Sequence, residues 1–239
     1  MHDAPSEIKD VNACRIPTET IDSDHPRVAG YARKVIGDDP ASHRQMAIAL
    51  YYAVRDGIRY DPYYPFYLAG HYRASNIIKS GRGYCVSKAV LLCALARAVG
   101  IPARLGFADV RNHIATRQLL DFIGTNLFVY HGYTQFYLED KWVSATPAFN
   151  LSLCRLHKVD PLDFDGRSDS LFQPYNNQRK RFMEYVRYHG HFPDLPLEAI
   201  LEAWRSAYGN DRVAGWIRAS EQSGGNTSRN FYGEDVISD

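Results

Sequence analysis

The chain has 239 residues, 45% of them hydrophobic and 23% charged, with 28 basic against 27 acidic side chains for a net charge of +1. This balance excludes a disordered chain and supplies no global field that would recruit nucleic acid or an anionic membrane. The length suits a single domain with one sizeable core.

The opening MHDAPSEIKD has no apolar run, and no stretch approaches the length of a membrane span, so a cytoplasmic protein is expected. Residues 1 to about 25 are polar and aperiodic and read as a flexible arm. Asp39-Pro40 then offers an N-cap and a first-turn proline, with Ala47, Ile48, Leu50, Tyr51, Val54 and Ile58 at helical spacing behind it. Arg59-Tyr60-Asp61-Pro62 turns away into an aromatic stretch (Tyr63, Tyr64, Phe66, Tyr67, Tyr72) that Pro62 and Pro65 keep irregular.

A second helix begins at Cys85. Its apolar residues cover most of its circumference, which marks a buried helix, and Gly100-Ile101-Pro102 stops it. Ala103 to Asp109 reads as a strand, Gln118 to Ile123 as a short helix, and Leu127 to Leu138 with Trp142 to Ala145 as an antiparallel pair. Beyond Pro147 the chain becomes loop-rich, with helices expected near 178–188 and 196–208 and a tail from Ser220 to Asp239. The expected organisation is thus α+β. A core spans about 40–150, a helical extension 151–219, and flexible ends 1–25 and 220–239.

The chemistry gathers at Gly81-Arg82-Gly83-Tyr84-Cys85. Amide N–H groups in a helix's first turn lack intrahelical partners and favour negative charge, so a cysteine placed there is expected to have a lowered pKa. Arg82 and Lys88 add positive potential to that expectation. A thiolate nucleophile needs a base that later protonates the leaving amine, which histidine does well. His131, in the strand after the cysteine helix, is the best placed; His113 is an alternative in a loop. The four cysteines (Cys14, Cys85, Cys93, Cys154) are scattered without a CxxC pair, and His189-Gly190-His191 lacks a third ligand of clear spacing. No metal or other cofactor is therefore expected. Gly81-Arg82-Gly83 lacks the Lys-Ser/Thr ending of a phosphate loop.

Taken together, Gly-x-Gly-x-Cys at a helix start, Arg97 with Gly100-Ile101-Pro102-Ala103-Arg104, and His131-Gly132-Tyr133 followed by Trp142 form a run that resembles the transglutaminase-like superfamily. The resemblance covers roughly residues 40–150. It implies a papain-like cysteine–histidine fold, with the cysteine helix packed on an antiparallel sheet. It also implies acyl transfer on a peptide or carboxamide through a thioester, with Cys85 as nucleophile and His131 as base. The family's pattern places aspartate before proline four residues after the tryptophan, where this chain has Thr146-Pro147. A third group normally orients the imidazole and stabilises its cation. Thr146 can accept the ring N–H but carries no charge; Asn150, Asp160, Asp163 or Asp165 could take over the role, or the site could be a silent peptide-binding cleft. The Cys85 backbone N–H is the first oxyanion donor expected, with Tyr60, and Tyr84 beside it, as side-chain candidates. No calcium-loop pattern is present, so hydrolysis is favoured over amine transfer, with a peptide or protein as substrate.

Overall fold

A computed structural model describes residues 11–38, 42–172, 175, 179, 181–225 and 229–238. In chain order its elements are α1 (Pro26–Ile36), α2 (His43–Gly57), β1 (Arg59–Tyr60), α3 (Ala69–Tyr72), α4 (Ala74–Ser80), β2 (Arg82–Gly83) and α5 (Cys85–Ala98). There follow β3 (Ala103–Asn112), β4 (Ile114–Thr116), α6 (Arg117–Ile123), β5 (Leu127–Leu138), β6 (Lys141–Ala145) and α7 (Leu151–His157). The chain ends with β7 (Met183–Phe192), α8 (Leu197–Tyr208), α9 (Asn210–Gln222) and β8 (Val236–Ser238).

α5 is the axis of the molecule. Its residues from Val86 to Arg97 are all buried, because α1, α2 and α4 pack around one side and the sheet closes the other. The sheet is antiparallel in the order β6-β5-β3-β7. The chain is therefore α+β, with the cysteine helix laid on an antiparallel sheet as the sequence suggests. No helix among the described residues is long and apolar enough to cross a membrane.

The expected cap at Asp39-Pro40 lies outside the described residues; α2 is capped by Ser42, whose side chain accepts from the Gln45 N–H. Two buried cations tie segments together. Arg97 donates to the carbonyls of Ala103, Ile16 and Pro193. Lys88, fully buried, donates from Nζ to Arg55 O (2.9 Å) and Ile58 O (2.8 Å) at the end of α2, where a helix terminus favours a cation. Burial pushes the Lys88 pKa well below its ordinary value.

Several expectations at the periphery need correction. The described part of the expected N-terminal arm is anchored: Cys14 and Ile21 are fully buried, Arg97 holds the Ile16 carbonyl, and Thr20 Oγ1 donates to Asp194 at 2.6 Å. Of the helix expected near 178–188, residues 178 and 180 lie outside the described residues, and from Met183 the chain is instead β7, an edge strand whose Tyr185, Val186, Tyr188 and Phe192 suit a pleated surface. Two register shifts against β3 break its alternation, which hid it from a period-two reading. A short helix, α7, occupies part of the expected loop. The expected tail is structural: α9 runs to Gln222, β8 pairs with β4, and Phe231 is buried against Tyr60 and His157.

Phe231→Ala should therefore lower stability by about 3 kcal/mol, as for other large buried aromatics. Denaturant unfolding of the variant checks this; an unchanged midpoint would mean that the segment is a tail after all.

Candidate active site

The geometry begins with two glycines. Gly81 terminates α4 in the left-handed region (φ 65°), and β2 then runs parallel to β1 with Gly83 opposite Tyr60. A Cβ on Gly83 would lie 2.4 Å from Ser87 Oγ, so only glycine leaves room for what Ser87 does. Ser87 Oγ accepts from the Tyr84 N–H (2.9 Å) and donates to Tyr84 O (3.1 Å), closing the start of α5 around Cys85.

Gly132 places the histidine strand. A Cβ there would stand 2.9 Å from Val86 Cα, so the first turn of α5 meets β5 backbone to backbone. Thr134 Oγ1, donating to Ala89 O at 2.9 Å, makes a second contact one turn on. His131 thereby comes beside Cys85, and both side chains line one cavity of about 330 Å³. No hydrogen bond joins the two in this structure. Both also line a second, small space of about 40 Å³, with Tyr60 and His157 in its wall.

The site is electrostatically poor. Burial pushes the Cys85 thiol up to about 11, against the opposing pull of the Gly132, Val86 and Cys85 backbone N–H groups. The expected lowering at the helix start is thus present as a force but is outweighed by desolvation. Burial also pushes His131 down to about 3, and its Nε2 has no partner. The ring lies against Phe172 (centroids 5.2 Å apart) and Tyr185 (6.4 Å). Both shifts favour the uncharged forms, thiol and neutral imidazole.

Neither expected source of positive potential serves the sulfur. Arg82 pairs with Asp61 at 2.8 Å, and Lys88 is committed to the end of α2.

Thr146 follows Ala145, which pairs with Thr134, so strand alternation sets it on the His131 face of the sheet. Its N–H donates to Ser170 O and its carbonyl accepts from Tyr51, but its buried Oγ1 has no hydrogen-bond partner. The Tyr185 hydroxyl faces it without bonding geometry. The bond expected from imidazole to Thr146 is not made.

The fallback groups are placed elsewhere. Asn150 accepts from the Tyr60 N–H (2.7 Å) and the Tyr232 hydroxyl (3.0 Å), and donates to the carbonyls of Arg55 and Ile58, which exhausts its amide. Asp163 is exposed and pairs with Arg55 at 3.1 Å. Asp165 is exposed and accepts from the Arg167 and Ser168 N–H groups. Asp160 is exposed, and none of these four residues lines either cavity.

Tyr60 walls both cavities beside Cys85, whereas the Tyr84 hydroxyl is bonded to that of Tyr72. His113 faces Glu184, His189 pairs with Asp109 at 2.6 Å, and His191 meets the Tyr133 hydroxyl at 3.2 Å. Among the described residues no group of three or more His, Cys, Asp or Glu could hold a metal ion. Residues to which the sequence assigned no role at the site also line the cavity, among them Phe122, Trp204, Tyr208 and Trp216.

The transglutaminase-like superfamily model matches residues 29–147, from α1 to just past β6. The chain belongs to that superfamily. The match takes in Cys85, His131 and Thr146 and stops before the extension. A solved structure from Cytophaga hutchinsonii, carrying a provisional cysteine protease name, is 19% identical with a TM-score of 0.44. The similarity covers 58% of this chain and 42% of that one, so it spans less than half of the other protein's length. No curated protein matches the chain.

Replacing Thr146 tests the uncharged third position. A carboxylate beside the ring raises the imidazole pKa and, through the imidazolium, lowers that of the thiol. Thr146→Asp should therefore speed alkylation of Cys85 at neutral pH by about tenfold or more. Thr146→Val, which removes an unpartnered hydroxyl, should leave alkylation unmoved and stabilise by about 1 kcal/mol. Alkylation rates across pH, with unfolding curves, check both; slower alkylation in the valine variant would restore an orienting role to the hydroxyl.

Proposed function

We propose that the chain is a cysteine-dependent acyl-transfer enzyme that hydrolyses a peptide or carboxamide bond. The observation carrying this reading is the shared cavity of Cys85, at the start of α5, and His131, on β5, in the order common to the superfamily. Cys85 Sγ attacks the carbonyl carbon as its proton passes to His131, so each charge arises with its counterion beside it. The tetrahedral oxyanion is held by the Cys85 N–H, with Tyr60 as the second donor candidate at the cavity wall. His131 then protonates the leaving nitrogen as the C–N bond breaks, leaving a thioester. Water, deprotonated by His131, attacks that thioester, and the thiol is regenerated.

A second reading is favoured by one observation, the unbonded, uncharged Thr146: a binding module that keeps the cleft without turnover. Activity against a panel of peptides and carboxamides separates the two. In the enzyme, Cys85→Ala abolishes turnover, His131→Ala lowers it by about 10²–10⁴, and the double variant is no worse than Cys85→Ala. Activity that survives Cys85→Ala would place the nucleophile elsewhere; substrate binding by the wild type without turnover would favour the module.

A further inference from the structure

Acyl transfer at Cys85 leaves open what the reacting carbonyl carries. The larger cavity holds that information, because Cys85 and His131 occupy only one part of its wall. Much of the rest of the wall is built from Tyr64 and Phe66 of the aromatic loop and from Trp204, Tyr208 and Trp216 of α8 and α9. We infer that the substrate bears a bulky aromatic or aliphatic group next to the reacting carbonyl, seated in this cavity, and that α8 and α9 set the specificity. The inference rests on Cys85 being the nucleophile.

Size is the first argument. About 330 Å³ is at the small end for a ligand pocket, which suits one large side chain with its adjoining amide better than a length of extended peptide. Rigidity is the second. Trp204 Nε1 donates to Val129 O at 3.0 Å, and the Tyr208 hydroxyl accepts from the Val129 N–H at 2.7 Å. Trp216 stacks on Phe122, with centroids 4.6 Å apart and planes 21° from parallel. The walls are thus formed in advance, and little ordering remains when an apolar group enters.

Charge is the third argument, and it decides between two kinds of occupant. An aromatic box could attract a cation through its ring faces. Here, however, the wall already contains a cation: the Arg229 guanidinium lies 5.0 Å from the Tyr63 ring and 4.9 Å from that of Phe122. The Glu234 carboxylate behind that wall already accepts from the Tyr63 (2.7 Å) and Thr116 (2.6 Å) hydroxyls, and no carboxylate stands among the described lining residues to receive a second positive charge. A lysyl or arginyl group is therefore disfavoured, and a neutral apolar one fits. The walls from α8 and α9 lie beyond the stretch that matches the superfamily, so this selectivity belongs to the extension.

Four alkylating reagents separate this inference from the reading beneath it. Iodoacetamide reports the thiol alone. The chloromethyl ketones of N-acetyl-phenylalanine, N-acetyl-alanine and N-acetyl-lysine add a side chain to the same reaction. In each ketone the thiolate attacks the methylene carbon, the C–S bond forms, and the C–Cl bond breaks to release chloride. Rates are read at Cys85 by peptide mass mapping. The phenylalanyl reagent should react about tenfold or more faster than the alanyl one, with the lysyl reagent slowest. Trp216→Ala, which removes a wall, and Ala219→Phe, which fills the cavity from α9, should each reduce the phenylalanyl-to-alanyl ratio several-fold. Labelling by iodoacetamide with equal phenylalanyl and alanyl rates, or with the lysyl reagent fastest, overturns the inference and leaves the acyl-transfer reading standing. If iodoacetamide fails at Cys85 even in alkali, where the thiolate forms, the acyl-transfer reading falls and takes the inference with it.

Discussion

The contact between Gly132 of β5 and Val86 of α5 fixes the rest of the site. Any side chain at position 132 would meet the Val86 backbone at 2.9 Å, so the helix can settle on the strand only where the strand has no Cβ. With that contact made, Cys85 and His131 have no freedom to be far apart, because each is the sequence neighbour of a touching residue. The start of α5 is trimmed in the same way. Gly83 vacates the space in which Ser87 Oγ bonds both polar groups of the Tyr84 backbone. Two missing side chains, at Gly83 just before α5 and at Gly132 on β5, bring thiol and imidazole to a common cavity.

Close approach alone does not charge the pair. The arrangement buries His131 and half-buries Cys85, and desolvation works against both thiolate and imidazolium. The superfamily's aspartate would offset part of that penalty, but Thr146 offers only a neutral oxygen, left unpartnered. Nearby cations do not compensate, since Arg82 is paired with Asp61 and Lys88 with carbonyls of α2 and its cap. A site of this kind rests uncharged and separates its charges when a carbonyl arrives.

The part of the molecule legible in the sequence is the part with local signals. Cys85 at a glycine-flanked helix start, the Gly100-Ile101-Pro102 stop and the antiparallel pair that carries His131 are all short-range patterns, and each stands where the sequence puts it. What escaped depends on distant partners. Cys14 and Ile21 are isolated apolar residues in a polar run, and their burial follows from segments met much later in the chain. β7 carries Glu184 and Arg187 on an exposed sheet edge, with bulges that break its period. Lys88 reads as positive potential for Cys85 until the end of α2 is seen to hold it. The vacancy at the third position was legible, because Thr146-Pro147 stands in a recognisable frame; that Asn150 is fully occupied by Tyr60, Tyr232, Arg55 and Ile58 was not.

The central claim is that Cys85 and His131 rest as thiol and neutral imidazole. Ultraviolet absorbance of the thiolate, titrated in the wild type and corrected by subtraction of the Cys85→Ala protein, measures this directly. The sign follows from the directions of the two shifts. A thiol raised to about 11 gives no Cys85 thiolate through the neutral range and a rise only in strong alkali, and an imidazole lowered to about 3 contributes no counterion above that pH. A wave of Cys85 absorbance already complete near neutrality would reveal a preformed thiolate–imidazolium pair and would contradict the account.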